Sequence, residues 1–145
     1  MTWWSAIRFL HVLSAALWVG GQLTVSLVVL PMARRSLEAD QRGRLLKAVG
    51  RRFGQFTGAV FLPVQIGTGV VLAWHKGVTW ASLAEPGYGR ILAAKLALFG
   101  AVMIAATVHG WAMGKSRARL ARTMAVASLV GSVGIIVLAT GLPAS

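Results

Sequence analysis

The sequence predicts an all-α integral membrane protein, a four-helix bundle that runs up-down-up-down with both termini outside. Apolar residues make up 57% of the 145 residues, and they gather into four long runs. Charged residues make up only 12%, about half of their usual share in a soluble domain. A soluble core of this size cannot hold so much apolar surface, so a lipid bilayer is the expected solvent.

The four apolar runs are the predicted membrane spans of a single transmembrane domain covering residues 1–145. They are residues 9–30, 56–74, 91–113 and 123–142. Each run has about 20 residues, the length that a helix needs to cross roughly 30 Å of hydrocarbon. The first run is too long for a cleaved signal peptide, and a basic stop-transfer segment follows it.

Basic residues predict the orientation. Seven of them lie from Arg34 to Arg52 and four from Lys115 to Arg122. Short basic loops stay in the cytoplasm, so both termini and the connection over residues 75–90 are expected outside a bacterial-type inner membrane. The formal charge of +12 is thus explained by two loops, and the predicted partner is the bilayer and not a nucleic acid.

Three local features refine this prediction. Residues 36–50 predict a short amphipathic helix at the cytoplasmic surface. Pro63 is expected to distort the second span. Gly131 and Gly134 form a small-residue pair that either packs within the chain or supports a homodimer.

Titratable residues inside the spans are the candidate functional residues, because burying them in lipid is costly. His11 on the first span and Lys95 on the third each lie about one turn below the outer surface. His75 ends the second span at the same level, so these three residues predict an outer layer. His109 lies near the cytoplasmic end of the third span.

Helical periodicity places these residues on stripes that should face inward together. His11 and Trp18 share a stripe on the first span, and Trp18 is expected to line a cofactor pocket. Lys95 and His109 share one on the third span, where Met113 follows His109 by one turn. Further polar members of the stripes are Ser14 on the first span and Gln65 and Thr68 on the second.

Each candidate has more than one interpretation. His11 is either a ligand of haem iron or copper or a histidine hydrogen-bonded across helices. Lys95 contacts an anionic group such as a haem propionate, ligates a metal in its deprotonated form, or reaches the outer interface. His75 is a metal ligand or an interfacial residue, and His109 with Met113 forms a soft Cu(I) site or packs between helices.

The sequence lacks the motifs of ordinary hydrolases and kinases. The chain has no cysteine, and its three acidic residues are expected in loops. No carboxylate pair, phosphate-binding loop or nucleophile motif is present. Catalytic residues are therefore not assigned, and any reaction would be carried by a cofactor.

Several segments resemble the CopD family of membrane proteins. They are HVLSAALWVGG from His11, Pro31 at the helix end, Arg51-Arg52-Phe53, Thr68-Gly69 and YGRILAAKL from Tyr88. Because CopD domains are associated with copper export, uptake or resistance, the resemblance implies a role in copper transport or homeostasis. Copper would then lie near His11 and His75.

The chain is also similar to the HemJ-type protoporphyrinogen oxidases, which are small four-span proteins. His11, Lys95 and His109 correspond to residues that this family carries on its first and third helices. The resemblance implies haem b as the alternative cofactor, with His11 as an axial ligand. The alternative function is then electron transfer or porphyrinogen oxidation by a haem-dependent oxidoreductase.

Overall fold

The computed structural model describes residues 1–141, and within them it contains helices and turns but no β-strand. This confirms the predicted all-α class. In this described part of the chain, four helices are long and apolar enough to cross a membrane, which indicates a multi-pass membrane protein. They are α1 (Trp3–Ser36), α2 (Ala39–His75), α3 (Tyr88–Gly114) and α4 (Ala118–Thr140).

The first two helices extend well beyond the predicted spans, to 34 and 37 residues. The amphipathic helix predicted over residues 36–50 is present from Ala39, after Leu37 and Glu38 leave helical geometry, but it is not short, because it continues as the first part of α2. The arginines, lysine and leucines of this segment favour a helix as strongly as the apolar run does. Asp40 lies in the first turn of α2 and not in a loop, where its charge complements the helix dipole.

A π-helical turn precedes a proline in each of the first two helices. The turns are Val25–Val29 and Thr57–Phe61, and each ends two residues before Pro31 or Pro63. A proline ring collides with the carbonyl four residues earlier, which lies inside the turn in both cases. The wider turn relieves this collision, so the distortion expected at Pro63 takes the form of a π-helical turn.

The first compact unit, Met1–Ala73, is a hairpin of α1 and α2, and we call it the first hairpin. His11 meets Thr68, and Trp18, further along α1, meets Thr57. Because the partner's number falls as the number on α1 rises, the two helices are antiparallel. This pairing brings the polar stripe of α1 against α2.

The rest of the chain forms a second compact unit, in which α3 and α4 are also antiparallel. His109 meets Ala121 near one end, and Gly131 packs against Val102 further along. A Cβ added to Gly131 would lie 2.4 Å from the Cγ2 atom of Val102, so this close approach requires glycine. Gly131 and Gly134 both contact α3, which makes them packing residues within the chain.

Candidate functional site

A polar cluster lies between the two helices of the first hairpin, and we call it the His11 cluster. Its members are His11 and Ser14 on α1 and Gln65 and Thr68 on α2, with Trp18 and Thr57 two turns away. Periodicity placed the α1 residues on one inward stripe, and the structure confirms that this stripe faces another helix. The cluster contains no charged side chain.

Both ring nitrogens of His11 are hydrogen-bonded. The Nδ1 atom lies 2.8 Å from the hydroxyl oxygen of Thr68, and that hydroxyl donates its own hydrogen to the Val64 carbonyl at 2.6 Å. The hydroxyl oxygen therefore accepts, and Nδ1 carries the proton. The Nε2 atom lies 3.2 Å from the amide nitrogen of Gln65, which can only donate. Thus Nε2 is unprotonated, and the imidazole is neutral.

These contacts confirm one of the two interpretations of His11, a histidine hydrogen-bonded across helices. They are also compatible with the other. Histidines that bind metals or haem iron almost always donate their second ring N–H to a fixed acceptor, which sets the tautomer and the ring orientation. Thr68 is such an acceptor, and Nε2 is the nitrogen that would bind a ligand.

The amide of Gln65 is held at both ends. Its Oε1 atom accepts a hydrogen bond of 2.7 Å from the Ser14 hydroxyl, while its nitrogen donates to His11. Ser14 also lies 3.0 Å from the His11 carbonyl, so it has two acceptors within reach. Gln65 and Ser14 are 9% and 6% exposed, and in this low-dielectric setting the contacts hold the amide firmly.

Gly69 gives the imidazole its place against α2. A Cβ built on Gly69 would lie 3.2 Å from the Cε1 atom of His11, closer than an ordinary van der Waals contact. A larger residue would therefore require the ring to shift. The glycine one residue after Thr68 therefore belongs to the site, although it carries no functional group.

An aromatic layer closes the cluster on the side of Trp18. The Trp18 side chain is 2% exposed, and its indole N–H donates to the Thr57 hydroxyl at 2.9 Å. Phe61 stacks on the indole with ring centroids 4.8 Å apart and planes at 8°. The ring centroid of Phe53 lies 6.3 Å from that of Trp18. Trp18 is thus packed into the hairpin core, and its role as pocket lining stays a prediction.

The second unit holds the other predicted residues. On α3, His109 donates its Nδ1–H to the Ala121 carbonyl at 2.7 Å, because a carbonyl can only accept. Met113 lies one turn further along, and both side chains are half-buried. Lys95 is half-buried on the same helix, and its contact with a haem propionate stays a prediction.

The predicted outer layer is divided between the two units. His11 belongs to the first hairpin, whereas His75, the exposed last residue of α2, and Lys95 belong to the second unit. The layer therefore stays a prediction. Among residues 1–141, no group of three His, Cys, Asp or Glu side chains is placed to hold a metal ion.

Sequence reasoning did not single out Thr57 and Phe61. A signal for both was present, because Thr57, Phe61 and Gln65 follow one another at intervals of four residues and share a helix face. Extending the stripe on α2 towards its beginning would have included them. Gly69 entered the sequence analysis only within the Thr68-Gly69 segment, and its contact with His11 could not be predicted, since it depends on where the His11 ring lies.

Comparisons with known proteins place the chain in a family but assign no activity. The sequence profile of the family described as "Domain of unknown function (DUF4149)" matches residues 13–124. An "Uncharacterized protein" of Aquifex aeolicus (strain VF5) is 31% identical over 107 residues, covering 74% of this chain and 68% of that protein. No solved structure matches the chain significantly. Gln65 and Thr68 lie inside the family match, and His11 lies just before it.

Proposed function

We propose a function for this chain, which belongs to the DUF4149 family, from the contacts of the His11 cluster. The protein would bind haem b in the membrane as a redox group, and His11 would hold its iron. The bound haem would supply one-electron transfer or the oxidation of a porphyrinogen. The residues of this chain bind the group and shield it from water.

The observation that carries this proposal is the orientation of His11. The Thr68 hydroxyl fixes the proton on Nδ1 at 2.8 Å, so Nε2 keeps its lone pair. Haem iron is held in many proteins by one such imidazole nitrogen, and an anchored imidazole would provide it with little loss of ring freedom on binding.

The same residues fit haem better than copper. A copper site needs two or more nitrogen or sulfur donors, and Cu(I) prefers thioether and imidazole ligands. The His11 cluster offers one imidazole, and its other members, Ser14, Gln65 and Thr68, carry hydroxyl or amide groups. The donor atoms of the cluster therefore support His11 as a ligand of haem iron.

A substitution at Thr68 tests whether the fixed orientation of the His11 ring supports haem binding. Thr68→Val keeps the shape of the side chain but removes the acceptor of the Nδ1–H, so we expect haem affinity to fall about 10- to 100-fold. The matched control is Thr107→Val, because Thr107 also donates to a carbonyl one turn back, that of Met103. Affinity is measured by titrating the purified apoprotein in detergent with haem and following the Soret band.

Three outcomes decide the proposal. A Soret band in protein purified from haem-replete cells, weakened in Thr68→Val but not in Thr107→Val, supports it. Equal affinity in the two variants would refute the role of the anchored ring. A wild-type protein that is colourless, takes up no haem and holds copper by elemental analysis would refute haem binding itself.

We also propose the orientation in a bacterial-type inner membrane, with both termini outside. The basic residues between Arg34 and Arg52, at the turn of the first hairpin, and those between Lys115 and Arg122 support it, since such segments stay in the cytoplasm. The connection between α2 and α3 then faces outward.

Two exposed acidic residues give a direct test of orientation. The chain has no native cysteine, so Glu38→Cys and Glu85→Cys each create a single thiol at an exposed position. In intact spheroplasts a membrane-impermeant maleimide should label Glu85→Cys, whereas Glu38→Cys should react only after permeabilisation. The reverse pattern would contradict the proposed orientation.

A second candidate function, copper handling, is favoured by a separate observation on α3. The Ala121 carbonyl accepts the Nδ1–H of His109, which leaves Nε2 as the ring nitrogen facing a ligand, and imidazole nitrogen and the Met113 thioether are two donor types suited to Cu(I). If the pair binds Cu(I), His109→Ala and Met113→Leu should each lower the copper bound by the purified protein, and His11→Ala should not.

A further inference from the structure

We propose that Gln65 competes with ligands for His11, and we call it a latch. Its amide is hydrogen-bonded to Nε2, the imidazole nitrogen that a ligand would use. The amide must turn away before the ligand binds. This inference deepens the proposed function and rests on His11 being the ligand residue. Gln65 would thus control which ligands can bind to Nε2 of His11.

The competition follows from the geometry of one nitrogen. The Gln65 amide nitrogen lies 3.2 Å from Nε2 of His11. An unprotonated ring nitrogen has one lone pair, in the plane of the ring, so it accepts one strong hydrogen bond or binds one metal ion but not both. Any group that binds at Nε2 must therefore displace the amide.

The surroundings allow the latch to open without disturbing the imidazole. Ser14 donates to the Oε1 atom of Gln65 at 2.7 Å but also lies 3.0 Å from the His11 carbonyl. When the amide leaves, Ser14 keeps an acceptor and is not left unsatisfied. Thr68 bonds to the opposite ring nitrogen, so His11 keeps its orientation while Nε2 is released.

The latch selects ligands by the strength of their bond to Nε2. A ligand that only donates a weak hydrogen bond gains nothing by replacing an amide that already donates one. A metal centre with an open coordination position forms a bond strong enough to replace it. Gln65 therefore favours an iron-centred ligand over small polar molecules or water.

The reactivity of Nε2 in the ligand-free protein tests the latch without haem. Diethyl pyrocarbonate acylates unprotonated imidazole nitrogen, and peptide mass spectrometry separates His11 from His75 and His109. Gln65→Leu removes the amide, so we expect acylation of His11 to accelerate about five-fold, as for the loss of one hydrogen bond. The matched control is Gln55→Leu, an exposed glutamine of the same helix, which should leave the rate unchanged.

A second variant keeps Gln65 in place. Ser14→Ala removes the hydroxyl that holds Oε1 and should accelerate acylation of His11 in the same direction but less. In the haem titration, Gln65→Leu should tighten binding about five-fold for the same reason. An unchanged or slower acylation rate in both Gln65→Leu and Ser14→Ala would overturn the latch.

The acylation rate and the haem titration together distinguish failure of the latch from failure of the proposed function. If acylation accelerates but neither wild type nor variant binds haem, the latch stands and haem binding fails. If wild type binds haem but Gln65→Leu binds it more weakly, Gln65 supports the bound group and the latch is overturned.

Discussion

Replacing His11 is expected to abolish haem binding, with an affinity loss of more than about 100-fold. That is larger than the roughly 10- to 100-fold cost of losing a residue that only orients a ligand. His11→Gln is the preferred variant, because its amide can still bond to Thr68 and Gln65 and so helps the hairpin to fold. The loss is measured as the Soret absorbance per protein after titration with haem.

The control for His11 is the other histidine with an anchored ring. His109 also donates its Nδ1–H to a fixed acceptor, the Ala121 carbonyl, and lies half-buried on α3. His109→Ala should keep the haem affinity of wild type. If His11→Gln keeps its Soret band while His109→Ala loses it, the ligand lies in the second unit and our assignment is wrong.

Replacing Trp18 with alanine is expected to give the largest loss of stability in the first hairpin. The side chain is 2% exposed, stacks on Phe61 and donates to Thr57. Truncating a buried tryptophan costs about 3–5 kcal/mol. The free energy of unfolding is measured in mixed micelles by titration with a denaturing detergent.

Two further variants identify the source of that loss. Trp18→Phe keeps an aromatic ring against Phe61 but removes the N–H donor, so the hydrogen-bond part of the loss should be about 1 kcal/mol. Trp80→Ala is the surface control, because Trp80 is 91% exposed and should be nearly neutral. Equal stability of Trp18→Ala and Trp80→Ala would contradict the packed aromatic layer.

Much of the fold follows from the sequence, because hydrophobicity decides where the chain meets lipid. All four helices were located from apolar runs, and the stripe of His11, Ser14 and Trp18 was correctly placed on one face. The ends of α1 and α2 were not predicted correctly, because the helices continue through charged residues that favour helix formation. Hydrophobicity marks the part of a helix that lies in the membrane and not the length of the helix.

The details of the site depended on information that periodicity does not contain. A stripe gives the face of a helix but neither its partner nor the register between them. Only the register shows that His11 lies opposite Thr68 and that Trp18 lies opposite Thr57. The proton position on His11 then follows from the carbonyl that takes the Thr68 hydrogen, and the need for Gly69 follows from the position of the ring.

The bond between His11 and the iron can be measured directly. In the oxidised protein, ¹⁵N-labelled at histidine, electron–nuclear double resonance detects imidazole nitrogens attached to haem iron. We predict such a coupling in wild type and in His109→Ala, and its loss in His11→Gln. An unchanged ¹⁵N coupling in His11→Gln would contradict the assignment of His11 as the axial ligand.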